Sequence, residues 1–260
     1  MTDTAARATE LLALHRAPEL LTVVNVWDVV SARVVADVPG TRALATASHS
    51  IAASAGYEDG ENIPVEEMLA AVGRIAAATA LPVTADLESG YGDPGGTVRR
   101  ALDLGVVGAN IEDRMQPLGD AVRAVEAVMS AAHEAGVPDF CLNARTDAFV
   151  RDEGRTPEEC LAVAIERGRA FLDAGAPLVF VPRVTERAHV EALVDAFGPQ
   201  RLTLIVVPGS LPLPELEALG VARVSYGPWS QRVALTAVQQ LAERALAGDG
   251  LLPDDVRLLN

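Results

Sequence analysis

Short apolar runs recur along the chain, each followed by a longer stretch in which apolar residues return with helical spacing. The runs are TVVNV from Thr22, ALATA from Ala43, PVTAD from Pro82, GANIE from Gly108, FCLNAR from Phe140, LVFVP from Leu178, LTLIVV from Leu202 and ARVSY from Ala222. They are continuously apolar and rich in β-branched and small residues, the pattern of strands buried on both faces. The segments between them, such as VEEMLAAVGRIAAATA, TVRRALDLG, DAVRAVEAVMSAAHEAG and PEECLAVAIERGRAFLDAG, read as helices. Gly105, Gly136 and Gly175 stand where three of these helices should stop. Thr156-Pro157-Glu158-Glu159 reads as a helix start, with a cap, a first-turn proline and acids on the positive end of the helix dipole.

This strand–helix alternation predicts an α/β fold, a (β/α)8 TIM-type barrel spanning residues 1–260 as one domain. Residues 1–17 read as an extra N-terminal helix, 228–247 as the last barrel helix and 248–260 as a tail able to dock on a neighbouring subunit. A doubly wound parallel sheet uses the same alternation and is the alternative. The lack of GxGxxG after the first strand weakens its dinucleotide-binding form.

Composition narrows the chemistry. Half the residues are hydrophobic but only 4% are aromatic, so the core must be aliphatic. The formal net charge of -15 argues against nucleic-acid and anionic-membrane binding, which need a positive patch. All 21 basic side chains are arginine; there is no lysine. A Schiff-base aldolase, a lysine-anchored pyridoxal-phosphate enzyme and a P-loop NTPase all need that amine and are ruled out. Cys141 and Cys160 are too few for a disulfide framework or a cysteine zinc site and read as buried thiols. The N-terminus has no signal-peptide pattern and no apolar run is long enough to span a bilayer, so a cytoplasmic protein is expected.

Barrel chemistry occurs at the C-terminal ends of the strands. There the sequence places Asn25 and Trp27 after the first strand and Ser48-His49-Ser50 after the second. Asp86 and Glu88 follow the third, Glu112 the fourth, and Arg145 the fifth. Asp86 and Glu88, two apart, share a face, and Glu112 stands on the next strand. Converging carboxylates repel unless a cation neutralises them, and an oxygen-rich site favours Mg²⁺ or Mn²⁺ over zinc. The competing reading pairs these acids with Arg99, Arg100 and Arg114. Arg145 suits a bidentate clamp on a substrate carboxylate, its alternative being a salt bridge to Asp147 or Asp113. His49 is either an acid or base near the substrate or an outward-facing helix-start residue. His15, His133 and His189 read as surface or interface residues.

The segments NVWDVVSARVV, TASHSIAASAGYEDGE, PVTADLESGYGD, GANIEDR and NARTDAF resemble, in family order, the isocitrate lyase/phosphoenolpyruvate mutase superfamily. The resemblance implies a (β/α)8 barrel, usually oligomeric (a dimer or tetramer), that binds Mg²⁺ and a small 2-oxo or 2-hydroxy carboxylate. It also implies C–C or P–C chemistry through a metal-stabilised enolate. By position it implies Asp86 as the main metal ligand, with Glu88, Glu112 and Asp59 holding metal-bound water. Ser48 and its neighbours would bind the substrate carboxylate, and Arg145 would stabilise the enolate. Lyase members carry a gating loop after the fourth strand with a Lys-Lys-Cys-Gly-His type motif; here NIEDRMQPLGDAVRAV runs almost straight into the next helix. That departure argues against an isocitrate or 2-methylisocitrate lyase; the expectation is a Mg²⁺-dependent lyase acting on a small 2-oxo or 2-hydroxy carboxylate, by oxaloacetate-type decarboxylation or retro-aldol cleavage. A P–C bond enzyme and a catalytically inactive barrel serving as a binding subunit are the alternatives.

Overall fold

A computed structural model describes residues 3–249, 252 and 256–259. The strands are β1 Leu21–Val23, β2 Asn25–Val26, β3 Leu44–Thr46, β4 Val83–Asp86 and β5 Gly108–Glu112, then β6 Cys141–Arg145, β7 Leu178–Phe180, β8 Leu202–Ile205 and β9 Arg223–Ser225. All pair in parallel in the order β1-β9-β8-β7-β6-β5-β4-β3-β2. The run read as TVVNV is one strand position broken in two. Its first half pairs with β9 and its second with β3, which closes the ring as a (β/α)8 TIM-type barrel. Asn25 bridges the seam: its Nδ2 donates to the Thr46 carbonyl at 2.7 Å, and its Oδ1 accepts from the Tyr226 and Gly227 N–H groups.

The helices are α1 Asp3–Arg16, α2 Val29–Ala36, α3 Ser48–Ser54, α4 Val65–Ala77 and α5 Pro94–Asp103, then α6 Leu118–Glu134, α7 Pro157–Asp173, α8 Arg187–Phe197, α9 Leu213–Ala218 and α10 Trp229–Leu246. Helix α7 starts as its sequence dictates. Thr156 accepts from the Glu159 N–H and Glu159 reaches back to the Thr156 N–H, a reciprocal capping box. Between sheet and helices the packing is aliphatic: Leu44, Val83, Ala109, Leu142, Leu202 and Val224 are fully buried or nearly so. Each larger side chain there contributes about 1.5–3 kcal/mol of transfer free energy.

The barrel interior is polar, and α1 closes its floor. Asn143, Thr203 and Arg223 are buried inside, and beneath them lies His15, fully buried. His15 is thus no surface residue, because α1 turns one face, with Ala8 and Leu11, into the barrel bottom. Its Nδ1 donates to the Leu11 carbonyl at 2.7 Å. His189 is also buried, 8% exposed, beside the Phe149 ring; His133 is exposed. Cys141 and Cys160 are buried free thiols.

Helix α10 departs from the compact pattern. Of its residues Gln231 alone is buried, while Val233, Leu235 and Val238 face outward. The predicted tail lies mostly outside the described residues. No helix among the described residues is long and apolar enough to cross a membrane.

Candidate active site

Strand β4 delivers Asp86 to the C-terminal mouth of the barrel, and β3 fixes it there. The Asp86 N–H donates to Thr46 Oγ1 at 3.0 Å. Ser48, the first residue of α3, donates from both its backbone N–H (3.2 Å) and its hydroxyl (2.7 Å) to Asp86 Oδ2. The other carboxylate oxygen of Asp86 makes no hydrogen bond among the described residues. A cavity of about 330 Å³ opens over it, with Ser48, His49, Asp59, Asn110 and Arg145 also in its walls. His49 Nδ1 lies 3.5 Å from Asp59 Oδ2, and both residues are partly exposed at the mouth.

Arg145 is braced from two sides. Its Nη1 lies 2.8 Å from Glu112 Oε2 and its Nε 2.7 Å from Asp147 Oδ1, and the guanidinium stands over the Phe180 ring. Burial weighs against its charge, but Glu112, Asp147 and Asp86 outweigh burial and raise its pKa above the ordinary arginine value. Burial also lifts the Asp147 carboxyl above its usual range, against the pull of Arg145. The Arg145–Asp147 pair weighed from sequence therefore exists in the same residue that lines the cavity. The remaining nitrogen, Nη2, has no protein partner among the described residues.

Glu88 and Glu112 do not stand in the cavity wall; they lie behind it around Arg114. That guanidinium meets Glu112 at 2.9 Å, Glu61 at 3.2 Å and Glu88 at 3.4 Å. Part of the neutralisation expected of a metal ion thus comes from a side chain. Glu61 is central to this network, since its Oε1 also accepts from the Ser89 N–H, the Ser89 hydroxyl and the Tyr91 N–H. Four of its residues, Glu61, Glu88, Tyr91 and Arg114, hold positive φ angles, as does Met115, next in the chain after Arg114. Such backbone costs of order 1 kcal/mol or more per residue and persists where surrounding bonds over-determine it. Glu88 is 4% exposed, and its Oε1 is buried without a hydrogen-bond partner among the described residues. Burial, then the charge of Asp86, push its pKa up to about 7, with Asp59 and Glu112 adding to the rise and a backbone hydrogen bond in the Glu61 cluster opposing it.

The family profile described as phosphoenolpyruvate phosphomutase matches residues 11–246. The chain belongs to the phosphoenolpyruvate mutase/isocitrate lyase superfamily of enzymes. A 2,3-dimethylmalate lyase from Eubacterium barkeri is 29% identical over 255 residues, covering 92% of this chain and 85% of that one. An oxaloacetate decarboxylase from Rhodopseudomonas palustris (strain BisB18) is 31% identical over 180 residues; the match covers 66% of this chain and 62% of the relative. Among solved structures, a Burkholderia cenocepacia J2315 protein provisionally named a phosphonomutase is 37% identical, with a TM-score of 0.86, covering 93% of this chain and 99% of that one.

Within this superfamily member the loop after β5 is short: β5 ends at Glu112 and α6 begins at Leu118. Of the residues picked from sequence, the cavity gathers Asn25, Ser48, His49, Asp59, Asp86 and Arg145. The Asn25 amide is already engaged at the barrel seam. Trp27 is not brought there. It lines neighbouring grooves beside Asp28, because its backbone N–H is held by Ser31 at the start of α2. Sequence reasoning missed Glu61, Asn110, Arg183, Trp229 and Arg232. The last four line the cavity; Arg183, Trp229 and Arg232 were signalled only by lying beyond the C-terminal ends of β7 and β9, while Asn110 sits in the middle of β5 and carried no such signal.

Among the described residues no group of three His, Cys, Asp or Glu side chains forms a ready-made metal cluster. The donors nevertheless fit a hydrated hard cation. Mg²⁺ keeps several waters and takes one or two carboxylates. Asp86 presents an unengaged oxygen, Asp59 lines the same cavity, and the orphaned Oε1 of Glu88 is buried nearby.

Proposed function

We propose that this enzyme is a Mg²⁺-dependent lyase (Mn²⁺ substituting) acting on a small 2-oxo or 2-hydroxy diacid by oxaloacetate-type decarboxylation or retro-aldol C–C cleavage. The observation that carries the reading is that Asp86, with one oxygen anchored by Ser48 and the other unengaged, shares one cavity with the Arg145 guanidinium. Asp86 would hold the metal, with Asp59 and Glu88 accepting from its water shell; the metal would polarise the 2-oxo group as a Lewis acid. Both oxygens of Glu112 are engaged by arginines, so Glu112 acts here as the anchor of Arg145 rather than as a holder of metal-bound water.

The rest follows from the chain's own side chains. Arg145 Nη2 offers fixed positive charge where the enolate oxygen develops negative charge. In decarboxylation the bond between C3 and the departing carboxylate breaks, its electron pair moves to the enolate, and carbon dioxide leaves. Water delivers the proton to C3, because the β5–α6 loop carries no Cys, His or Lys to do so. Arg183 and Arg232 also line the cavity and have no carboxylate within ion-pair distance among the described residues, which supports a substrate with a second anionic group.

The same two arginines favour a second reading, P–C bond chemistry on a phosphonate, which needs extra cationic contacts. Self-association is also proposed, on the outward apolar residues of α10.

The test is a metal-supplemented screen of 2-oxo and 2-hydroxy acids for pyruvate or carbon dioxide release, with oxaloacetate and phosphonopyruvate side by side. Oxaloacetate turnover that is lost with EDTA and in Asp86→Ala supports the lyase. Turnover surviving both refutes it, and exclusive phosphonopyruvate turnover selects the second reading.

A further inference from the structure

Beneath the cavity floor lies a chain of buried polar groups. Thr203 Oγ1 donates to Asn143 Oδ1 at 2.6 Å, and Asn143 Nδ2 donates to Asn110 Oδ1 at 2.8 Å. Arg223 Nη2 donates to the same Asn110 oxygen at 3.3 Å. Among the described residues Arg223, 1% exposed, has no carboxylate within ion-pair distance and no hydrogen-bond partner for its Nε. Below it sit His15 and Cys141, neither of them an anion at neutral pH: burial holds the imidazole neutral and the thiol protonated. An arginine so placed costs several kcal/mol of desolvation, which its surroundings only partly offset.

What this arginine does is fix a direction. The oxygen and nitrogen of an asparagine amide are normally assigned from the network around them. Here the network leaves no choice, because a guanidinium only donates. The group facing Arg223 must be the Asn110 carbonyl, so the Asn110 Nδ2 must point the other way. Asn110 lines the cavity, and its Nδ2 makes no hydrogen bond to protein among the described residues. Two donors on the oxygen also polarise the amide and strengthen its N–H groups as donors.

We propose that Asn110 is a substrate-contacting residue whose N–H is held toward the cavity by the buried positioning residue Arg223, to donate to a carboxylate or enolate oxygen. This rests on the lyase reading of the cavity and adds a donor on its floor to Arg145 in its wall. The anion it receives is an oxygen of a small organic acid.

Oxalate, with MgCl₂ present, is the probe. The full chain has five asparagines, so ¹⁵N-asparagine labelling gives five side-chain amide pairs, and Asn110→Asp identifies the one that disappears. That pair should shift on adding oxalate. Calorimetry then reads position. Asn110→Ala and Arg223→Met should each weaken oxalate by about tenfold, Arg223→Lys should stay within about threefold of wild type, and the Asn110→Ala/Arg223→Met pair should be no weaker than Asn110→Ala alone. A merely structural Arg223 would give additive losses. If oxalate binds while the Asn110 amide stays still, the inference is overturned and the lyase reading stands. If oxalate does not bind the wild-type chain, both fall. Should Arg223→Met not fold, the wild-type amide shift decides.

Discussion

The Ser48 hydroxyl donates to Asp86 Oδ2 across 2.7 Å, and the Ser48 backbone N–H donates to the same oxygen at 3.2 Å. One side of the carboxylate is thereby fixed and the other presented to the cavity. Ser48→Ala removes the stronger of the two charge-assisted bonds, worth about 1.5–3 kcal/mol. Metal affinity and kcat/KM should both fall about tenfold or more while the thermal midpoint stays close to wild type. An equal loss of stability with unchanged metal affinity would show that Ser48 serves only α3.

Arg114→Met would leave Glu61, Glu88 and Glu112 facing one another without their shared cation. Removing one partner of a largely buried ionic network costs about 3 kcal/mol, reduced here by the partial exposure of Arg114. A fall of several degrees in thermal midpoint is expected, and saturating Mg²⁺ should restore part of it. Unchanged stability would mean that solvent already screens the network.

His15 sets an acid limit. Burial first, then the charge of Arg223, lower its pKa from 6.5 to about 3, against a hydrogen bond to Leu11 that raises it. The unfolded chain therefore binds a proton below pH 6.5 that the native chain refuses until about pH 3, so stability falls as pH drops through that window. Between pH 7 and pH 5 the loss from this group is about 2 kcal/mol. Denaturant midpoints across that range should slope less in His15→Gln than in wild type. Parallel slopes would remove His15 as the cause.

The barrel was legible in the sequence because strands buried on both faces must be apolar and the helices between them amphipathic. Asp86 and Arg145 were legible because they end strands, whereas Ser48 and Asp59 were indicated by the family resemblance rather than by their position. Other features depend on three-dimensional facts. The break at Asn25 is a matter of barrel closure, so TVVNV reads as unbroken. Trp27 misled because its place is set by the α2 cap rather than by the strand. Arg114 follows Glu112 by only two residues, yet its reach to Glu61 and Glu88 depends on left-handed backbone at residues that are not glycine. The burial of His15 required knowing that α1 closes the barrel floor. Arg183 is in the same class: its φ of 66° places it beyond β7 at the cavity rim.

That rim makes a specificity prediction. Arg183→Ala and Arg232→Ala should each raise KM for oxaloacetate by about tenfold with a smaller change in kcat, and should leave the affinity of a monoanion such as pyruvate nearly unchanged. Equal losses for both acids would show that these arginines read no second anionic group. Arg232 is stacked on Trp229, so Trp229→Leu should reproduce part of its effect.

The most direct test is Mn²⁺ binding followed by electron paramagnetic resonance, in wild type and in Asp86→Ala, with and without oxalate. The account predicts one Mn²⁺ per wild-type chain, held more tightly when oxalate is present, and no such uptake by a folded Asp86→Ala chain. Equal Mn²⁺ uptake by the two proteins would place the metal elsewhere and contradict the role given to Asp86.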